Sequence, residues 1–480
     1  MIMVVFDGLT PTPDIQQLIT KYYIGNILLT TRNISSAAQV ATLTHSLQTI
    51  AQSAGFQTPL MIGIEQENGM ISRWGDGARG TQFPGAMALA ATRSPTQAFD
   101  VAKATAKELA AVGINWNFAP VLDVLGEAGE ADTGASVRAF GDDPETVGRF
   151  GVAFSEGLRA GGVGHCAKHF CRREPTSPVA ESSYIPFRRA IAAGMDSVLV
   201  SSSIWPTATT AGYAKSALTL LRETLSYTGV TIADMTSTPL FLSSPAALPT
   251  ATLTAVHAGI DILLLYTNPT LQLTAIHAIH SALSTRSLTP ARIFHSSQLI
   301  TRLKEHYFTW HTTLTPCAPD TLTNLLLSHA PLARKAYSLA LTLVRDTHCL
   351  IPLRPTAAAQ ILLLTPVVKP LHRTDAPIDP FECFGRALAR RHPHIVHAPY
   401  TAHGVTGTHV SLIKSAAIII FVSANAQRPN GRSQLETAAA VQRIAYAKPI
   451  LNIAACDPSD VLDDRSCVSP LHRPPPSLPR

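Results

Sequence analysis

A lysine and a histidine stand side by side near the end of an apolar segment, in "GHCAKHF" at 164–170. Lys168 offers a cation with three N–H donors, and His169 offers a ring that both donates and accepts hydrogen bonds. Side chains of these types hold a polar ligand. The segment then enters "CRREPTSPVAESSY", a short loop that contains proline and few carboxylates. The pair therefore predicts a ligand-binding site whose other members come from elsewhere in the chain.

Other ionisable residues close apolar segments in the same way. Asp7 follows "MVVF", Glu65 ends "LMIGIE", Asp123 follows "FAPVL", and Asp234 ends "GVTIAD". Taken alone, an aspartate at the end of a strand is often the N-cap of the helix that follows. Several ionisable residues in such places are harder to explain as caps. As a set they predict one polar site built at the ends of strands.

The elements that would position these residues alternate along the first 300 residues or so. Apolar, strand-like runs cover 3–7, 26–30, 60–65, 114–120, 162–170, 197–200, 229–234 and 261–265. Between them lie helical patterns such as "SPTQAFDVAKATAKELAAVG", where Ser94, Pro95 and Gly113 occupy typical helix-terminal positions. Eight such units predict an α/β fold, a (β/α)₈ TIM-like barrel with its chemistry at the C-terminal ends of the strands. A doubly wound sheet is the alternative, but no Gly-rich phosphate loop follows the first strand.

The remainder of the chain has a different pattern. "LARKAYSLALTLVRDTHCLIPL" predicts a long amphipathic helix, and "QILLLTPV", "AAIIIFVSA" and "PILNIAA" predict strands. We expect a smaller α/β (three-layer) sandwich domain here. The predicted divisions are a barrel over 1–329, the sandwich over 330–456, and a Pro-rich, disordered tail over 457–480.

Composition excludes several classes of function. The chain is 46% hydrophobic, yet no uninterrupted apolar run is long enough to span a bilayer, and its start lacks a basic segment and cleavage site. A cytoplasmic protein without a membrane partner is expected. The net charge of +6 is dispersed, with no basic run interleaved with aromatics, so no nucleic-acid partner is expected.

Cysteine and histidine spacing argues against a metal. The seven cysteines include no CxxC pair, and their odd number argues against a disulfide framework. The His-rich stretch at 390–403 matches no zinc spacing and is typical of a surface strand and loop. Neither a metal nor a cofactor is expected.

Longer motifs resemble a known family. "IGIEQENGMISRW", "TQFPGAMALAAT", "ELAAVGINWNFAPVLDV", "VRAFGDDPETV" and "CAKHF" are similar, in order and spacing, to the N-terminal barrel of glycoside hydrolase family 3. They resemble its β-N-acetylglucosaminidase (β-N-acetylhexosaminidase) branch in fungal form. The likeness extends over nearly the whole chain, including the entry into the second domain.

The resemblance implies roles for six residues. Asp234 corresponds to the nucleophile at the end of the seventh strand, in "GVTIADMTS", although the match weakens after Asp234. The other five correspond to groups that hold the sugar hydroxyls: Glu65, which stands where relatives carry Asp, and Arg73, Arg138, Lys168 and His169. A retaining glycosidase needs such a nucleophile and a second group, about 5 Å away, that serves as acid and base.

That second group is where the chain departs from the family. Relatives carry an Asp and His pair on the loop after "KHF", and the present loop lacks both. Glu174 and Glu181 are the candidate replacements, and Ser203 stands where relatives carry a histidine. A diverged protein and a wrongly spliced reading of an ordinary family gene both explain these departures.

The expected function follows from the resemblance. We expect a retaining hydrolase that releases terminal β-linked N-acetylglucosamine through an Asp234 glycosyl-enzyme, impaired by loss of the acid/base loop. The alternative is a catalytically inactive barrel that only binds a sugar. In either case the partner is a small carbohydrate, and the oligomeric state is left open.

Overall fold

The computed structural model of the 480-residue chain describes residues 1–75, 79–125, 135–170, 180–205, 214–315, 317–318, 320–367, 381–426 and 431–462. The described residues form two compact units, one that extends to Leu341 and one that begins at Thr342. The helix Thr321–Ala340 belongs to the first unit and runs through the position predicted as the domain boundary, residue 330. The residues 341–360 that follow it contain no regular element.

The first unit is built around a closed barrel of parallel strands. In chain order its strands and one hairpin are β1 (Ile2–Val4), β2 (Asn26–Leu28), β3 (Met61–Ile64), the hairpin β4 (Gln66–Asn68) and β5 (Ile71–Ser72), β6 (Trp116–Asn117), β7 (Gly164–Phe170), β8 (Ser197–Val200), β9 (Val230–Asp234) and β10 (Ile262–Leu265). The barrel order is β1-β10-β9-β8-β7-β6-β3-β2, with the hairpin outside it. Every predicted strand corresponds to one barrel strand, so the predicted (β/α)₈ barrel is confirmed.

Helices follow the strands and surround the barrel. Their bounds are α1 Pro13–Tyr22, α2 Ala37–Ser53, α3 Ala86–Ala91, α4 Pro95–Ala111, α5 Ala135–Arg138, α6 Pro144–Ala160, α7 Ala180–Ala192, α8 Ala214–Thr219, α9 Pro239–Ser243, α10 Leu248–Ala258, α11 Pro269–Ser284, α12 Pro290–Tyr307, α13 Trp310–Leu314 and α14 Thr321–Ala340. Helix α4 begins at Pro95, as predicted, although Ser94 makes no side-chain cap bond. Gly113 ends the turn after it at a φ of 76°, a conformation that glycine adopts without strain.

Two apolar layers hold the barrel together. Along each strand, side chains point alternately into and out of the barrel. The inward-facing ones pack together as the inner layer, among them Met3, Met61, Trp116, Phe118 and Ile232. Outside it, a larger layer joins the strands to the helices. Helix α12 closes the N-terminal end, where Ile300 and Phe308 join the inner layer. The packed interior leaves the opposite end, where the strands finish, as the place for a ligand.

The second unit is a four-stranded parallel sheet between helices. Its strands β11 (Ile361–Pro366), β12 (Ile395–Tyr400), β13 (Ile418–Ser423) and β14 (Ile450–Ala454) lie in the order β12-β11-β13-β14. The helices are α15 (Glu382–Ala389), α16 (Gly407–Ser415), α17 (Arg432–Ala445) and α18 (Ser459–Leu462). Even-numbered side chains of β11 pack with α16 and α17, and odd-numbered ones pack with α15. Because both faces of the sheet are covered, the two central strands begin with continuous apolar runs, "ILLL" in β11 and "IIIF" in β13.

Candidate active site

The ionisable residues singled out from the sequence lie at the C-terminal end of the barrel. Glu65 directly follows β3, and Arg73 follows the β4/β5 hairpin. Arg138 is the last residue of α5, in the connection after β6. Lys168 and His169 lie near the end of β7, and Asp234 is the last residue of β9. The barrel topology therefore brings residues from distant parts of the sequence to one mouth.

Lys168 is the centre of an ion-pair network. Its Nζ lies 2.6 Å from Glu67 Oε1 and 3.2 Å from Glu65 Oε1, and its side chain has no solvent-exposed surface. Burial alone would lower the pKa of Lys168, but the charges of Glu67 and Glu65 raise it above its ordinary value. Lys168 is therefore charged at neutral pH and held between two carboxylates.

Glu67 joins Lys168 to Arg138. Arg138 donates from Nε to Glu67 Oε2 at 2.8 Å and from Nη2 to Glu67 Oε1 at 2.7 Å. This two-pronged contact fixes the plane of the guanidinium. Burial opposes ionisation of Glu67, yet Lys168 and Arg138 together lower its pKa to about 2. Glu67 remains a carboxylate over the whole range in which proteins usually work.

Glu65 occupies the outer side of the network. Its Oε2 lies 3.7 Å from Arg73 Nη2, and about a third of its side chain is exposed. Burial would raise the pKa of Glu65, but Lys168 and Arg73 outweigh that effect and lower it. Glu65 therefore presents an ionised, partly exposed acceptor at the mouth, suited to hydroxyl groups.

Asp123 positions His169. Asp123 Oδ1 accepts the backbone N–H of His169 at 3.0 Å, and Asp123 Oδ2 lies 2.8 Å from His169 Nδ1. A carboxylate only accepts hydrogen bonds, so Nδ1 carries the hydrogen and the ring is held in one orientation. The His169 side chain is partly exposed, whereas that of Asp123 is buried.

Asp234 lies two strands from β7 on the same rim of the barrel. Its Oδ1 accepts hydrogen bonds from the backbone N–H and the hydroxyl of Thr236. Burial raises the pKa of Asp234 and outweighs these bonds, and the charge of Glu65 raises it further. A partly desolvated carboxylate in such a place is a candidate nucleophile.

The structure thus joins Glu65, Arg73, Arg138 and Lys168 in one network, with His169 adjacent in sequence and Asp234 on the same rim. Glu67 is the member that the sequence analysis missed. Its signal was the i, i+2 spacing of Glu65 and Glu67 in "IEQE", which places two carboxylates on one side of an extended segment. Asp123 was named as a strand-end residue, but its bond to His169 was not anticipated.

The remaining described candidates from the sequence have other neighbours. The Asp7 side chain is exposed and pairs with Arg32, its Oδ1 lying 2.9 Å from Arg32 Nε. Glu181 is exposed in the first turn of α7. Ser203 lies in a short 3₁₀ turn with its Oγ 2.9 Å from that of Ser201. Glu174 lies outside the described residues.

Among the described residues, no group of three or more His, Cys, Asp or Glu side chains is arranged to hold a metal ion. In the same part of the chain, no helix is both long and apolar enough to cross a membrane.

Comparison with known proteins establishes the family. Residues 1–303 match the glycosyl hydrolase family 3 N-terminal domain, and the chain belongs to this family. β-Hexosaminidase A of Pseudoalteromonas piscicida is 37% identical over 164 residues, which are 34% of this chain and 27% of that protein. β-Hexosaminidase LpqI of Mycobacterium tuberculosis is 29% identical over 279 residues, which are 54% of this chain and 70% of that protein.

Two solved structures extend the likeness over both units. A fungal multi-domain GH3 β-N-acetylglucosaminidase is 31% identical with a TM-score of 0.84, and the match covers 96% of this chain and 55% of that one. A GH3 β-N-acetylglucosaminidase from Paenibacillus sp. str. FPU-7 is 25% identical with a TM-score of 0.77, covering 96% and 89%. The chain therefore spans about half of the fungal protein and about a quarter of the Pseudoalteromonas protein.

Proposed function

We propose that this chain is a retaining glycoside hydrolase that releases terminal β-linked N-acetylglucosamine, with Asp234 as the nucleophile. The observation that carries the proposal is the position of Asp234, a partly buried carboxylate at the end of β9, on the rim of the barrel where the ion-pair network lies, whose pKa is raised by burial. Membership of the family and the names of the relatives support the reaction class.

The reaction would proceed in two displacements. A carboxylate oxygen of Asp234 attacks the anomeric carbon as its bond to the leaving oxygen breaks, and a glycosyl-enzyme ester forms. The leaving oxygen gains a proton from a general acid or from solvent. Water then attacks the same carbon, loses a proton, and releases both the sugar and the Asp234 carboxylate. Two inversions give net retention of the β configuration.

The surrounding network would hold the sugar. Glu65 accepts hydroxyl hydrogens, and Arg73, Arg138 and His169 offer N–H donors from partly exposed side chains. Lys168 completes the predicted binding set. Its side chain is buried, so it would act on the sugar through the carboxylates of Glu65 and Glu67, with which it pairs. Contacts that strengthen as the ring approaches an oxocarbenium-like state favour the transition state over the ground state.

The expected loss of the acid/base group would limit the rate of the proposed reaction. Residues 171–179, where we expect the acid/base pair of the family to be missing, lie outside the described residues, and Glu181 is exposed on α7. Loss of a general acid/base typically costs about 10² to 10⁴ in rate. We therefore propose slow turnover of natural glycosides and faster attack on substrates whose leaving group needs no proton.

A catalytically inactive sugar-binding protein is the second candidate. It is favoured by the same expected loss of the acid/base pair, because the contacts described above for Glu65, Arg73, Arg138 and His169 are made with residues that lie outside 171–179. Such a protein would bind N-acetylglucosamine and release nothing.

Intact-mass measurement tests the proposal. The purified protein would be incubated with an activated aryl β-N-acetylglucosaminide and quenched in acid. We expect an added mass of one glycosyl residue on the wild-type protein and none on Asp234→Ala. Binding of N-acetylglucosamine with no adduct and no released phenol would favour the inactive sugar-binding protein.

A further inference from the structure

We infer that Glu67 is a positioning residue of the sugar site: it touches no sugar itself but holds Lys168 and Arg138 in the arrangement that the mouth requires. This inference deepens the proposed function and rests on it for the identity of the ligand. It begins from the burial of the network, which differs from one member to the next.

The network has an inner and an outer layer. The side chains of Lys168 and Glu67 are 0% and 6% exposed, whereas those of Arg138 and Glu65 are 26% and 34% exposed. A ligand at the mouth can therefore contact Arg138 and Glu65 directly. Glu67 lies behind them, and its influence on a ligand must pass through the groups that it binds.

Both oxygens of Glu67 are used by these partners. Oε2 accepts from Arg138 Nε, and Oε1 accepts from Arg138 Nη2 and lies closest to Lys168 Nζ. The contact with Arg138 sets the guanidinium plane and so aims its remaining N–H groups. The contact with Lys168 supplies the closer of the two negative charges that keep a fully buried ammonium ionised.

The backbone around Glu67 is fixed by its neighbours in the hairpin. Gln66 exchanges two hydrogen bonds with the Asn117 side chain, each 2.9 Å long. Gln66 Nε2 also donates to Ser72 Oγ across the hairpin at 2.8 Å. The Asn68 amide group donates to Thr105 on α4 at 3.2 Å. The residues on both sides of Glu67 are thus hydrogen-bonded to β6 and to α4, which fixes the position of Glu67. The side chains of Lys168 and Arg138 therefore take their positions from Glu67.

The test compares Glu67→Gln with a matched substitution, Glu108→Gln. Glu108 is also buried, accepts a backbone N–H from Thr81 at 2.8 Å, and lies 2.8 Å from His329 Nδ1. It lies on α4, outside the network described above. Each full-length variant would be titrated with N-acetylglucosamine by calorimetry across a range of pH, below its own unfolding temperature, and assayed for kcat and KM on the aryl glycoside.

For Glu67→Gln we expect affinity to fall by about tenfold or more, the usual effect of losing a hydrogen bond between charged groups. We also expect the alkaline limit of binding to move to lower pH, because Lys168 then keeps one carboxylate instead of two. Glu108→Gln should change affinity by less than about twofold and leave the pH profile unmoved. Equal affinity and an unmoved profile in folded Glu67→Gln would overturn the inference.

Two further measurements keep the outcome decisive. If Glu67→Gln does not fold, the double variant Glu67→Gln/Lys168→Met also removes the buried ammonium that has lost its closer carboxylate, and it should fold yet bind the sugar weakly. Wild-type affinity in the double variant would contradict a positioning role.

If the wild-type protein binds no N-acetylglucosamine, the proposed function fails separately, and the ¹⁵N NMR signal of Arg138 Nε then tests the positioning role of Glu67. That N–H should exchange slowly in the wild-type protein and rapidly in Glu67→Gln, and equal exchange would contradict the inference.

Discussion

Thr236 donates two hydrogen bonds to a single carboxylate oxygen of Asp234, one from its backbone N–H at 2.9 Å and one from its hydroxyl at 2.6 Å. Both bonds favour the ionised carboxylate and oppose the rise in pKa that burial causes. The balance between the two effects sets the pH at which Asp234 ionises, and the proposed attack on the sugar requires the ionised form.

Replacing Thr236 by valine removes the hydroxyl bond and keeps the backbone bond. Since this bond lowers the pKa of Asp234, its loss should raise that pKa and move the acid limb of kcat/KM upward by about one pH unit. The limb would be measured with an activated aryl β-N-acetylglucosaminide. Thr254→Val is the control, because the Thr254 hydroxyl donates within its own helix, to Thr250 O. An acid limb that stays in place in Thr236→Val would show that Asp234 does not control it.

Asp234→Asn should stabilise the protein at neutral pH. The folded-state pKa of Asp234 is raised, so its contribution to stability is fully present below the unfolded-chain pKa of about 3.9 and is lost as pH rises through the folded-state value. Asparagine removes that loss while still accepting the Thr236 bonds. We expect a gain on the order of 1 kcal/mol in the free energy of unfolding at pH 7.

Urea unfolding at several pH values checks this gain, which should vanish near about pH 3, where the carboxyl is protonated in both states. Asp7→Asn serves as the exposed control. A destabilised Asp234→Asn at pH 7 would show that the ionised carboxylate supports the fold.

Glu65→Ala should weaken sugar binding. Glu65 is the partly exposed acceptor of the network, and its carboxylate pairs with both Arg73 and Lys168. Loss of a hydrogen bond to a charged group costs about 1.5–3 kcal/mol, so the Kd for N-acetylglucosamine should rise by roughly 10- to 150-fold. Calorimetric titration measures this, with Glu156→Ala as a control because Glu156 is an exposed residue of α6. Equal affinity in Glu65→Ala would remove Glu65 from the sugar site.

Azide should accelerate turnover if no acid/base group serves the second displacement. An anionic nucleophile needs no general base, so it attacks the glycosyl-enzyme faster than water does. Steady-state phenol release would be followed with rising azide, and the product examined by NMR. Through Asp234 the azide should have the β configuration, whereas direct attack in Asp234→Ala would give the α configuration. Fast turnover that azide leaves unchanged would reveal a working base.

The barrel could be predicted from the sequence because its strands are short apolar runs separated by well-marked helices. Lys168, His169 and Asp234 were identifiable because each ends such a run. The parallel order of the strands then brings their ends to one rim. Here the position of a residue relative to a strand was enough to predict its place in the fold.

Glu67 could not be predicted in the same way. It lies in the hairpin β4/β5 outside the barrel, and its importance comes from contacts with Arg138 and Lys168, which are 71 and 101 positions away. The burial of Lys168 was also hidden, because the residue type alone suggests an exposed donor. Only the folded arrangement shows which charged side chain faces the mouth and which lies behind it.

The most direct test of the central claim is rapid-mixing measurement of phenol release from an activated aryl β-N-acetylglucosaminide, on wild-type protein and on Asp234→Ala. We predict a burst equal to the concentration of wild-type protein, followed by slow turnover, and no burst from Asp234→Ala. A wild-type protein that is folded and binds N-acetylglucosamine but releases no phenol would contradict the account. An equal burst from Asp234→Ala would also contradict it, because the nucleophile would then be another residue.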